Sequence, residues 1–149
     1  MAISAKYTHR APATRAAETI PLDAAQAVVK AARAKATEVG VPMNIAVVDA
    51  GNNLVAFARM DNAWLGSIEI AQNKAYTARA FDMPTKDLAP LAQPGGPLYG
   101  IVTSHEGRVI AFAGGIPLIS ESRIVGAIGV SGGTIDQDQE VAEAGVAAF

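Results

Sequence analysis

Ala46-Val47-Val48-Asp49-Ala50-Gly51-Asn52-Asn53-Leu54-Val55-Ala56-Phe57-Ala58-Arg59-Met60-Asp61 reads as a strand, a tight turn and a returning strand. Nearly every residue from Met43 to Asp49 is apolar, which predicts a strand covered on both faces. The turn falls at Asp49-Ala50-Gly51-Asn52, and the chain returns over Asn53 to Arg59. A second run has the same grammar. It begins at Gly114-Gly115-Ile116-Pro117-Leu118, turns at Ser120 to Arg123, and ends as Ile124 to Ser131 before Gly132-Gly133. Polar residues at these strand ends are the first candidates for a site.

Helices flank the two runs. Pro21 suits a first helical turn, and Leu22, Ala25, Val29, Ala32, Ala36 and Val39 recur at three- and four-residue intervals until Gly40 and Pro42. Ser67 to Phe81 carries a second apolar line through Ile68, Ala71, Ala75 and Ala78, and Pro84 lies beyond its end. A short helix follows, Thr85 to Leu91, with Thr85 as its expected cap. Ile101 to Thr103 and Arg108 to Ala113 read as a further hairpin turning at His105-Glu106-Gly107. Thr134 and Gln137 form a capping-box pair for the last helix, with Asp136 and Asp138 at its positive end. Strands joined as hairpins, with helices before, between and after, predict an α+β domain: a five-stranded antiparallel sheet flanked by helices, in a profilin-like arrangement. Residues 1–20, aperiodic and containing Pro12, read as a flexible N-terminal arm, and 21–149 as one domain.

Composition narrows the function. A net charge of -2 without a basic stripe argues against nucleic acid. The absence of cysteine excludes disulfides, zinc ribbons and iron–sulfur clusters. No apolar run is long enough to span a bilayer and the first residues lack the apolar core of a secretory signal, so a cytoplasmic protein without a membrane partner is expected. The alanine- and glycine-rich composition predicts association with further copies of itself.

Several side chains could carry chemistry. Arg59 can bind a carboxylate through two parallel hydrogen bonds with Asp61 as base or orienter, or the two can form a simple ion pair at a strand end. Lys74, one position off the apolar line of its helix, either presents an ammonium at the sheet edge to hold an anion or lies along the rim as a snorkelling side chain. Gly114 and Gly115 either let a ligand approach the backbone or bend a strand. Pro117 and Ser131, at the ends of neighbouring strands, complete the expected cofactor-binding set. His105 is a candidate iron ligand or a solvated turn residue; His9 lies in the arm, and Tyr76, Tyr99, Met60 and Met83 are rival ligands.

The ordered set Val47-Val48-Asp49 with Gly51 and Leu54, Phe57 to Asp61, Ile70-Ala71 with Lys74-Ala75, Gly114 to Leu118, Val125 to Gly132, Gln137-Asp138 and Val141-Ala142 resembles the GlcG/HbpS-like family of small heme-binding or heme-degrading proteins. The match runs from about Leu22 to the C-terminus. Asn52-Asn53 stands where that family more often has a second glycine. The resemblance implies a profilin-like, oligomer-forming domain, a group that includes a module fused to corrinoid adenosyltransferases, and heme as the cofactor. Three functions follow as expectations. In the first, heme or a related tetrapyrrole lies between helix and sheet, with its propionates on Arg59 or Lys74. In the second, a cofactor-free isomerase, lyase or hydrolase acts on a small organic acid through Arg59, Asp61 and Lys74. In the third, the protein is a structural or assembly component.

Overall fold

The computed structural model describes residues 18–149. Its elements are α1 (Leu22–Val39), β1 (Asn44–Asp49), β2 (Leu54–Arg59), α2 (Gly66–Phe81), α3 (Thr85–Leu91), β3 (Gly115–Ser120), β4 (Arg123–Ser131) and α4 (Ile135–Ala147). The strands form one antiparallel sheet in the order β2-β1-β4-β3.

Strand periodicity explains the layering. Successive side chains point to opposite faces, so Ile45 and Val47 of β1 meet one core while Ala46 and Val48 meet another. The first core gathers Ala25, Val28, Ala32 and Ala36 of α1 with Val141 and Ala142 of α4. The second is made of Ala71, Ala75 and Ala78 of α2 against Ala46, Val48 and Ala127. The sheet is thus sandwiched, with α1 and α4 on one side and α2 on the other. This is why β1 is apolar from Ile45 to Val48 and buried from Asn44 to Val48.

Small residues set the spacing of the α2 layer. At Gly129 an added Cβ would lie 2.0 Å from the Ala71 carbonyl oxygen, so the helix backbone rests directly on β4. At the other end of the chain, the Thr134 hydroxyl accepts from the Gln137 amide while Gln137 returns a carbonyl oxygen to the Thr134 amide, completing the expected capping box. In α1 the apolar stripe is rotated from its expected line: Val28 is buried and Leu22 is 52% exposed.

Three expectations are corrected. The described residues form four strands, not five: Ile101–Thr103 and His105–Gly107 are 3-10 turns, and Arg108 to Ala113 pairs with nothing. The reason is local, because His105, Glu106 and Gly107 all have positive φ (53°, 58° and 79°), which breaks the pleat on which ladder pairing depends. Thr85 does not cap its helix; Pro84 occupies that position, and the Thr85 hydroxyl turns inward to accept from the Gly115 amide at 2.9 Å. Lys74 is neither at the rim nor at the sheet edge but fully buried. Of the expected arm, residues 1–17, His9 among them, lie outside the described residues. Ile20 is packed, with its amide donating to Val125 O at 2.9 Å.

Candidate functional site

Lys74 leaves α2 on its sheet-facing side and runs past the N-terminal end of β3 into the opposite helical layer. There its Nζ lies 2.7 Å from Asp138 Oδ2 of α4 and 2.8 Å from Val130 O of β4. The side chains are 0% and 4% exposed, so the pair is closed to water. Asp138 Oδ1 accepts from the Gly133 amide at 2.8 Å. The Phe112 ring covers the ammonium, its centroid 4.9 Å from Nζ.

Gly114 makes the passage possible. Its φ is +121°, and an added Cβ would sit 2.7 Å from both Lys74 Nζ and Val130 O. Gly115 packs closer still, where an added Cβ would lie 2.4 Å from the Lys74 carbonyl oxygen. The two glycines, read from the sequence as a ligand approach or a bend, surround the lysine itself. Burial pushes the Lys74 amine below its ordinary range against the pull of Asp138. Burial likewise pushes Asp138 up, against Lys74 and the Gly133 and Gly132 amides. Both shifts favour the uncharged forms.

Arg59 is elsewhere. Its Nε and Nη2 donate to the Ala63 carbonyl at 3.3 and 2.9 Å, clamping the loop ahead of α2, and no ion pair joins it to Asp61 among the described residues. Arg59, Asn44 and Ser131 are directly opposite one another across β2, β1 and β4. Asn44 Nδ2 donates to Trp64 O at 3.0 Å, while its buried Oδ1 has no partner. Arg59 and Asp61, with Arg33, Thr37 and Met60, line a 350 Å³ hollow that excludes Lys74. The guanidinium and the ammonium therefore do not share one hollow. Pro117 is buried in β3 opposite Ala127.

Two other features carry binding chemistry. A groove of 540 Å³ between α1 and β2 has Val29, Val55, Ala56 and Phe57 as apolar walls and Lys30 and Arg33 as cations. On the α2 side, the exposed His105 ring lies against Tyr76 and Phe81, with centroids 5.7 and 5.6 Å away. His105 Nδ1 is 2.8 Å from the Tyr76 hydroxyl, and the Arg108 guanidinium stacks 3.7 Å from the Tyr76 ring centroid.

A family model described as haem degrading protein HbpS-like matches residues 20–147. The chain belongs to the HbpS-like family. It is 42% identical, over 88% of its length and 92% of the relative's, to an uncharacterized 15.0 kDa protein of the dhaT-dhaS intergenic region of Citrobacter freundii. It is 40% identical over 80% of its length to the corrinoid adenosyltransferase PduO of the same organism, of which it spans 36%. A solved PduOC:heme complex superposes with a TM-score of 0.85 at 34% identity, covering 88% of this chain and 95% of that one.

Asp138 and Asn44 escaped the sequence reading as site residues. A signal for Asp138 was present: it shares a helical line with Val141, Ala142 and Gly145, and a carboxylate on a core line requires a buried cation.

Proposed function

We propose that this HbpS-like chain binds heme or a related tetrapyrrole, with His105 as the iron ligand. The observation that carries the reading is the likeness to PduOC in complex with heme, at 34% identity over most of both chains. The donor set fits. His105 is exposed, and with Nδ1 held by the Tyr76 hydroxyl, Nε2 is left to meet iron. Tyr76 and Phe81 offer aromatic surface beside the ring, and Arg108 offers a cation for a propionate. When bound, heme would supply redox-active iron. This chain's residues would fix the imidazole's orientation and hold the carboxylates.

The α1–β2 groove supports a second placement on the opposite face. Its volume lies in the range of ligand sites, roughly 300–1,000 Å³, and Lys30 and Arg33 could meet propionates there. Titrating the purified chain with hemin and following the Soret band separates the two. His105→Ala abolishing a saturable shift supports the first placement, and Lys30→Ala/Arg33→Ala abolishing it supports the groove. No saturable shift at micromolar wild-type protein removes heme binding altogether.

We extend the same reading to assembly. β2 and β3 are the edges of the sheet, and Trp64 and Leu65 are each 71% exposed, which favours a homo-oligomer; the antiparallel sheet between helical layers favours the profilin-like arrangement. Light scattering giving a monomer mass would end that part.

A further inference from the structure

The heme reading leaves the Lys74–Asp138 pair unused, and burying two charges costs several kcal/mol per ion before their attraction is counted. A structural tie accounts for the contact but not for what covers it. An ammonium has three N–H donors. Asp138 Oδ2 and Val130 O take two, and the remaining side of Nζ faces the Phe112 ring. Phe112 is 37% exposed and belongs to no helix or strand. The segment is held at its ends, where the Ile110 amide donates to the Thr77 hydroxyl and the Gly114 amide to Gln139. Between them, among the described residues, no hydrogen bond engages the amides of Ala111, Phe112 or Ala113. Local opening draws on segments of this kind, with few backbone bonds and one partly packed side chain.

The geometry points to Lys74 as a gated amine that forms an imine with a small uncharged aldehyde or ketone admitted beneath Phe112. Charge selects the class. A carboxylate entering here would face Asp138, whereas a neutral carbonyl adds no charge to a closed site. The chemistry keeps the site's net charge constant. The ammonium passes a proton to Asp138, and the amine lone pair attacks the carbonyl carbon. The carbon–oxygen π electrons move to oxygen, which takes that proton back from Asp138. A second proton leaves nitrogen and reaches the same oxygen through Asp138. The carbon–oxygen bond then breaks, water departs, and the nitrogen lone pair closes the C=N bond. The product is a protonated imine beside the Asp138 carboxylate, so no step leaves a lone charge buried. Transfer to Asp138, 2.7 Å away, supplies the free amine this requires. The proposal does not depend on heme.

The test uses the intact chain, acetaldehyde and cyanoborohydride near neutral pH, with modified lysines located by peptide mass spectrometry. Cyanoborohydride donates the hydride that fixes each imine as an ethyl-lysine. Lys74 is expected to be labelled in the wild type despite its burial, alongside the exposed Lys30 and Lys86. Phe112→Ala should accelerate Lys74 alone, and an excess of acetate should not protect it. Lys74 remaining unlabelled in both wild type and Phe112→Ala, after Lys30 and Lys86 have reacted fully, overturns the proposal. Protection by acetate overturns the uncharged class.

Discussion

Lys74 of α2 and Asp138 of α4 meet at 2.7 Å although their helices lie on opposite faces of the sheet. The contact passes around the end of β3, where Gly114 leaves room for the lysine stem. Removing one partner strands the other charge in the interior, at a cost of about 3–5 kcal/mol. Lys74→Met should therefore lower stability by that order, and Lys74→Met/Asp138→Leu by distinctly less, because no lone charge remains. Urea midpoints of the two variants check this. Equal losses would show that the pair is replaceable packing.

The pair also shapes the pH dependence of stability. Asp138 is raised from 3.8, so just above that value the folded chain keeps a proton the unfolded chain has lost. Stability from this group falls as pH rises through that window. Lys74 is lowered from 10.5, so below that value the unfolded chain holds the extra proton. Stability from this group rises as pH climbs toward 10.5. Both slopes should disappear in Lys74→Met/Asp138→Leu. Parallel stability–pH curves for wild type and the double variant would refute the assignment.

Close backbone approach makes Gly129 intolerant. Its Cβ would meet Ala71 O at 2.0 Å, and a helix backbone cannot yield as a flexible side chain can. Gly129→Ala should lose about 3 kcal/mol, the upper end of ordinary overpacking. In contrast, Gly66→Ala at the first turn of α2 meets nothing within 4 Å and should be neutral or slightly stabilising. Thermal melts of the pair give the comparison directly.

Thr85 ties α3 to the start of β3 through the buried Gly115 amide. Thr85→Val keeps the shape and removes the acceptor, leaving that amide unpaired. A loss of about 1–3 kcal/mol is expected, with faster hydrogen exchange at Gly115. Unchanged exchange would mean that the amide finds another acceptor.

If heme uses His105, the Tyr76 hydroxyl on Nδ1 orients the ligand. Tyr76→Phe should weaken hemin binding by about tenfold, the low end for losing an imidazole's partner, while leaving stability nearly intact. An unchanged affinity with a normal fold would place the iron elsewhere.

The parts of the fold that were legible are those decided within one element. Thr134 and Gln137 announce α4, and the apolar run through Val47 and Val48 announces a strand covered on both faces. The apolar runs at Ile101 and Val109 look like strands because composition alone does not reveal three successive left-handed residues between them. Lys74 was named, but its destination was not, because its partner lies 64 residues away and across the sheet. Arg59 looked like a ligand-binding cation because the carbonyl it clamps, that of Ala63, belongs to a loop whose path only the fold supplies.

One consequence concerns how the molecule comes apart. Since the lysine of one outer layer is anchored in the other, neither layer can peel off by itself without abandoning an ion in greasy surroundings. Melting should therefore be all-or-none, with amides in the middle of α2 and of α4 exchanging through a single shared opening.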